Sequence, residues 1–150
     1  MTCTVSAQEL PDSMFHWVYN THTDEMSGKV THSAVIYSPD ILDLSTTKEE
    51  PVISFATIDK HVYMLIMVSK SFIESTTKQV EIKFDGGPSE FTDCNLSATE
   101  GVFSYVNINN AKEIMKRMAT AHKFTVRLHF ITDGSRVIHF NVEGFKPLDI

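Results

Sequence analysis

The sequence predicts a mainly β, water-soluble protein: an antiparallel β-sandwich of about eight to ten strands with one amphipathic α-helix before a C-terminal hairpin. Short segments in which apolar and polar residues alternate recur along the chain, and turn-forming residues separate them. Only one segment, at about residues 111–122, has apolar side chains at helical spacing. With 150 residues, the chain fits a single domain, in which we expect residues 1–12 to be disordered or processed.

The N-terminal part of this pattern predicts two strands joined by a turn. Aromatic residues at positions 15, 17 and 19 alternate with smaller or polar ones, which is typical of a half-buried strand. Asp24–Gly28 has turn chemistry, and Val30–Tyr37 ends in a β-prone run. The polar stretch at residues 40–50, between two prolines, predicts a loop or an edge with a short turn.

The central hairpin is predicted at residues 52–58 and 61–68, with Asp59-Lys60 at its tip. A two-residue turn sets Phe55 opposite Met64 on an apolar face. The second face of the hairpin is largely apolar as well, and it carries Ser54, Ala56, Tyr63 and Leu65. Because both faces are apolar, we expect these to be central strands of a sheet that is covered on both sides.

Three more strands and the helix follow. Residues 80–85 alternate between apolar and charged side chains, and Asp85–Pro88 ends that strand as a turn. Residues 91–96 and 102–106 predict two short strands. The helix should begin after Asn110 as its N-cap. Its apolar stripe consists of Ala111, Ile114, Met115, Met118 and Ala119.

The closing hairpin brings together the candidate functional residues. Its predicted core row is Phe124, Val126, Leu128, Phe130, Ile138, Phe140 and Val142. A register that keeps this row on one side pairs Leu128 with Phe140 and sets His129 directly across from His139. The candidate binding residues on the opposite face are Arg127, His129, His139 and Asn141.

These residue types are compatible with several chemical functions. Two facing histidines could hold a metal with a third ligand, but a solvated face, or one covered by another chain, fits the pattern better. Cys94 lies in an apolar pattern, which is typical of a core residue, and no Gly-x-Ser-x-Gly motif is present. We therefore predict no metal, no cofactor and no enzyme activity. The alternatives are a small hydrolase that uses histidines and carboxylates, and a carrier of a small ligand.

Charge and hydropathy exclude several classes of partner. The net charge is −6 and no cluster of lysine and arginine stands out, so nucleic acid is not expected as a partner. No apolar stretch approaches the length of a membrane span, which predicts no membrane insertion. Another protein is the expected partner. The oligomeric state and the pairing of Cys3 with Cys94 stay open at this point.

The order of the features resembles small exported β-sandwich proteins of Gram-negative bacteria, of the invasion-associated protein B type and a type VI secretion-associated type. The segments that carry the resemblance are Phe15–Val18, Asp24–Gly28, Val80–Pro88, Val126-Arg127 and Phe140–Phe145. The resemblance implies a non-enzymatic binding module of the bacterial cell envelope, periplasmic or secreted, that acts through a protein surface as an inhibitor or accessory factor. Without the resemblance, a cytoplasmic location is the alternative.

Overall fold

Eleven strands and one helix form the described part of the protein in a computed structural model, which describes residues 15–45, 47–69, 71, 73–74, 78–99 and 103–149. In chain order these are β1 (Val18–Thr23), β2 (Val30–Tyr37), β3 (Leu42–Asp43), β4 (Lys48–Glu49), β5 (Val52–Ile58), β6 (His61–Val68), β7 (Gln79–Phe84), β8 (Glu90–Thr99), β9 (Phe103–Ile108), α1 (Ala111–Met118), β10 (Lys123–Phe130) and β11 (Gly134–Asn141). The predicted fold class, antiparallel β with a single short helix, is confirmed. The predicted N-terminal segment 1–12, with Cys3, lies outside the described residues.

Nine of the strands form one antiparallel sheet in the order β1-β2-β5-β6-β9-β8-β7-β10-β11, while β3 and β4 pair with each other. Strand β8 belongs to two parts of this sheet. Its residues Glu90–Asp93 pair with β7, and its residues Cys94–Thr99 pair with β9. The sheet therefore has a first half (β1, β2, β5, β6, β9 and the end of β8) and a second half (the start of β8, β7, β10 and β11).

The two halves enclose one apolar core. Phe55 and Met64 of the first half and Leu128 and Phe140 of the second half are all fully buried in the same cluster. Direct bonds connect the halves at one side: the indole Nε1 of Trp17 donates to the carbonyl oxygen of Val142 at 3.0 Å. This is the packing of a sandwich whose two layers come from a single folded sheet.

The helix α1 is shorter than its sequence pattern predicts. It ends at Met118, not near residue 122, and the next three amides bond to carbonyls three residues back. The physical reason lies outside the helix. The carboxylate of Asp85 accepts the backbone N–H groups of His122 and Lys123, both at 2.8 Å, and so starts β10. The helix is eight residues long, and among the described residues no helix has the length and apolar character needed to cross a membrane.

Arg117 lies one turn after Glu113 on α1, at a spacing that favours an ion pair along a helix. Its guanidinium instead bonds to both carboxylate oxygens of Glu90 on β8, at 2.6 and 2.7 Å, and lies 4.2 Å from the ring centre of Phe84. A bidentate ion pair whose guanidinium also lies over an aromatic ring is stronger than an exposed ion pair along a helix. Arg117 therefore connects α1 to strands β7 and β8 of the sheet.

The central hairpin has the predicted register: Phe55 faces Met64, and both residues of the tip have positive φ, 51° at Asp59 and 67° at Lys60. The expectation that both sides of these strands are covered is wrong. Tyr63 is 40% exposed, and its outward neighbour Leu65 is only half-buried. Within the described residues, the fold covers one side of this hairpin.

The closing hairpin has the predicted core side but a different register. The apolar row is buried as expected, yet Leu128 pairs with Arg136 and Phe140 pairs with Phe124. The turn occupies residues 131–133, and Gly134 follows it with a positive φ of 73°. Each residue of β10 therefore pairs with a residue of β11 that lies four positions earlier in the chain than the predicted partner. A shift of four residues keeps every side chain on its own face.

Candidate functional site

The predicted site residues all lie on the outer side of the second half, but the structure brings only two of them together. His129 pairs with Ser135, and His139 pairs with Thr125, so the expected pair of facing histidines is wrong. Arg127 and His139 both line a cavity of about 370 Å³, whereas His129 and Asn141 do not line it. Whether any of the four binds a partner stays a prediction.

The cavity lies across three neighbouring strands. Lys83 of β7, Thr125 of β10 and His139 of β11 form one row of paired residues through its middle. A second row, Glu81 and Arg127, lies beside it. Because paired residues of an antiparallel sheet point to the same side, these side chains share one outer face. The lining residues are Glu81, Ile82, Lys83, Asp85, Ser89, Lys123, Thr125, Val126, Arg127, Val137 and His139.

His139 is held by an acidic residue, Asp40, that is not among the predicted site residues. The Oδ2 atom of Asp40 lies 2.8 Å from the ring Nδ1 of His139 and accepts its backbone N–H at 2.9 Å. A carboxylate in this position holds an imidazole in one orientation and leaves Nε2 available for proton transfer or hydrogen bonding. Among the described residues, no serine, threonine or cysteine is hydrogen-bonded to Nε2.

The carboxylates that line the cavity are already engaged. A hydrogen bond from Ser89, followed by one from Arg127, lowers the pKa of Glu81. The Nε atom of Arg127 is 2.9 Å from the Oε1 atom of Glu81. The backbone N–H groups of Lys123 and His122 lower the pKa of Asp85. Both groups are therefore ionised and partnered at neutral pH.

Acid should destabilise the protein, and the melting temperature should fall below about pH 4. The pKa of Asp85 is lowered by backbone amides, and that of Glu90 is lowered by Arg117. Their stabilisation is complete above the pKa of the unfolded chain and is lost as the pH falls through the folded pKa.

Thermal melting followed by circular dichroism between pH 7 and pH 3 measures this loss. In Asp85→Asn an amide oxygen can still accept the two N–H groups but does not titrate, so the variant should lose less stability in acid. A melting temperature that is the same at pH 7 and pH 3 would contradict the prediction.

Metal and thiol chemistry have no support in the described part of the chain. No group of three or more histidine, cysteine, aspartate or glutamate residues is placed there to hold a metal ion. Cys94 carries a free, buried thiol, and burial raises its pKa to about 11. The thiol is therefore protonated at neutral pH, as expected for a core residue and not for a nucleophile.

A second outer surface, on the first half of the sheet, has a different composition; we call it the uncharged face. It holds no aspartate, glutamate, lysine or arginine among its described side chains. Its middle row runs from Val18 through Val35 and Ser54 to Leu65. Its described outward residues are Val18, Asn20, His22, Thr31, Ser33, Val35, Tyr37, Val52, Ser54, Ala56, Ile58, His61, Tyr63, Leu65, Met67, Asn95, Tyr105 and Asn107.

The described part of the chain leaves the uncharged face exposed, and a cleft lies at one end of this face. Val18, Ile58 and Tyr63 are 43%, 43% and 40% exposed. The cleft has a volume of about 340 Å³ and lies at the border of the face, where Glu50 lines it together with Tyr37 and Met67. The face therefore combines exposed apolar side chains with a recess that can accept a side chain of another molecule.

Comparison of the chain with protein-family models, with curated proteins and with solved structures found no match. The features that bear on function are thus the different compositions of the two outer faces of the sheet. One is rich in charged residues and carries the cavity beside His139. The other is uncharged over five strands and part of a sixth.

Proposed function

We propose that this protein is a non-enzymatic binding module that holds another protein against its uncharged face. The observation that carries the proposal is the absence of charged side chains from that face, among the described residues, in a chain of which 21% is charged. The other outer face of the same sheet provides an internal comparison, because Glu81, Lys83, Lys123 and Arg127 all point outward there.

The composition of the uncharged face is typical of a surface that binds another protein. The solvated side of an antiparallel sheet normally carries polar and charged residues. The centre of a protein interface is instead depleted of charge and enriched in tyrosine and methionine, because charges that lose water there are costly unless they are paired. Tyr37, Tyr63 and Met67 on this face fit the composition of an interface centre.

The same face constrains the chemistry of the partner. It offers no counter-charge among its described residues, so the partner surface that covers it must also be uncharged at its centre. Neutral polar residues such as Asn20, Ser33 and Ser54 are interspersed with the apolar ones. Permanent homodimer interfaces are more apolar than this, so the composition favours a separate protein that binds and dissociates.

The cleft is the point at which a partner side chain should insert. It lies at the ends of β2, β5 and β6, where Tyr37, Val52 and Met67 line it together with one charged residue, Glu50. Its volume of about 340 Å³ is sufficient for an aromatic or large aliphatic group. Binding energy in protein interfaces is concentrated where such an anchor fills a pocket. Tyr37 at the rim of the cleft provides both a ring and a hydroxyl for contact.

Site-specific photo-crosslinking tests the proposal. A benzophenone amino acid replaces Tyr63 on the uncharged face or, as the control, Phe91, which is 66% exposed and points outward from the second half. In an extract of the organism that encodes the protein, we expect a discrete crosslinked product from position 63 and none from position 91. Equal products from both positions, or none from either, would contradict the proposal.

Charge insertion provides the matched control. With the crosslinker at position 63, Leu65→Lys and Val18→Lys should each abolish the product, because both place an unpaired charge in the interface. Val137→Lys, which alters a 39% exposed valine on the other outer face, should leave the product unchanged. A product of twice the chain mass of 16.9 kDa would assign the face to a second copy and overturn the proposal of a separate partner.

The setting of the module in the bacterial cell envelope, as an inhibitor or accessory factor, belongs to the same proposal. It rests on the resemblance of Val80–Pro88 and Phe140–Phe145 to small exported proteins. Fractionation of cells that express the full-length gene product tests this point, because the proposal predicts the protein in the periplasm or the medium. Recovery in the cytoplasm alone would remove the envelope from the proposal and leave the binding face untouched.

A further inference from the structure

We infer that the cavity beside His139 binds the anionic group, a phosphate or a carboxylate, of a small organic molecule. The cavity is distinct from the uncharged face and lies on the outer side of β7, β10 and β11. Its volume of about 370 Å³ is within the range of small-molecule sites. The inference rests on which polar groups in the cavity are already bonded and which are left available.

The acidic groups at the cavity have partners. Glu81 bonds to Arg127 at 2.9 Å, and Asp85 accepts two backbone N–H groups, both at 2.8 Å. Asp40, which holds Nδ1 of His139 at 2.8 Å, is engaged in the same way. A bound cation would therefore have to compete with existing bonds for every one of these carboxylates.

The donors, by contrast, are available. Neither Lys83 nor Lys123 has an acidic group within 4.0 Å among the described residues. The hydroxyl of Thr125 has no hydrogen-bond partner in the described part of the chain. Because Nδ1 of His139 faces the carboxylate of Asp40, Nε2 donates to an anion when the imidazole carries two protons. Two ammonium groups, a hydroxyl and an imidazole are thus gathered around one cavity with no described protein acceptor.

The spacing of these donors suits an oxyanion. Lys83, Thr125 and His139 are cross-strand neighbours, so their backbones are about 4.8 Å apart from one strand to the next. Donors at about this separation can bond to different oxygen atoms of one phosphate or carboxylate, each at about 2.8 Å. Lys123 lies on the same strand as Thr125, two residues away, and so faces the same side.

The other residues that line the cavity limit the charge that its ligand can carry. Glu81 and Asp85 border the cavity and would repel a second anionic group close to the first. The 39% exposed side chain of Val137 offers an apolar contact for a carbon skeleton. The cavity therefore fits a small molecule with a single anionic group and an uncharged remainder.

Titration with inorganic phosphate, glycerol 3-phosphate and acetate, followed by amide NMR and calorimetry, tests the inference. We expect at least one of the three to bind, with the largest amide shifts at Thr125 and His139. The variants Lys83→Met and Lys123→Met should each weaken binding about tenfold. Lys112→Met, which removes the same charge from an exposed position of α1, is the control and should bind like the unmodified protein.

The outcomes separate the sources of the anion and the failure of the inference. Tighter binding of the two phosphates than of acetate identifies a phosphate group, and the reverse identifies a carboxylate. Equal weakening in all three lysine variants, or no binding of any probe by the unmodified protein with its native amide spectrum, would overturn the inference. Neither result bears on crosslinking at position 63, because the uncharged face does not include these residues.

Discussion

Replacing Met115 by aspartate should lower the free energy of unfolding by about 3–5 kcal/mol. Met115 is only 2% exposed and lies in the apolar stripe by which α1 packs on the core. The new carboxylate would lose its water there, and Arg117 of the same helix is already bonded to Glu90. Urea denaturation followed by circular dichroism measures the change.

The matched control is Lys112→Asp on the exposed side of the same helix. It adds the same carboxylate near the positive end of the helix, so we expect a change within about 0.5 kcal/mol. If Met115→Asp were as stable as this control, α1 would not be part of the core, and the packing of its apolar stripe would be refuted.

Replacing Phe55 by alanine should destabilise the protein by a similar amount, about 3–5 kcal/mol. Phe55 is fully buried, and its ring centre lies 5.8 Å from that of Trp17 and 5.2 Å from that of Phe145. The truncation would leave a cavity where the N-terminal strand, the central hairpin and the C-terminal segment meet. Urea denaturation gives the energy, and the fluorescence of the single tryptophan reports the local loss of packing.

Phe91→Ala deletes the same side chain from a position that is 66% exposed, and it should cost less than about 1 kcal/mol. The tryptophan emission should move to longer wavelength in the Phe55 variant and stay unchanged in the Phe91 variant. A Phe55→Ala protein with native stability and emission would show that the aromatic cluster does not hold these three segments together.

Local chemistry explains which elements could be predicted from the sequence. The bounds of β2 and the register of the central hairpin followed from an alternating pattern and from Asp59-Lys60, two residues in the conformation of a tight hairpin turn. In the closing hairpin the burial pattern determined which side faces the core but not the register. The pairing of Phe130 with Gly134 is set by a three-residue loop, and the pattern alone is compatible with any even shift.

The missed features depend on contacts between residues far apart in sequence. The end of α1 is determined by Asp85, which lies more than thirty residues before the amides that it binds. Asp40 meets His139 on β11, the last strand of the sheet, ninety-nine residues away, and no spacing rule indicates such a pair. The candidate site was therefore predicted as a face, and only the fold shows which members of that face adjoin the cavity.

The exposure of the uncharged face could not be predicted from the sequence either. The sequence correctly showed that residues such as Tyr63 and Leu65 form a second apolar row, and we expected the chain itself to cover them. An apolar pattern reports that a surface avoids water, and it does not report whether the cover belongs to the same chain. This mismatch between pattern and exposure supports the proposal that the face binds another protein.

The division of β8 between the two layers has a consequence for how the protein can change over evolution. Because one continuous strand supplies the border of both halves, neither layer is a unit that could be excised, duplicated or fused to another scaffold with its hydrogen bonds intact. An exchange of genetic material within this region would break the ladder in the middle of a strand. The proposed binding face and the proposed anion cavity should therefore be inherited together, each changing by point substitution within a sheet that both require.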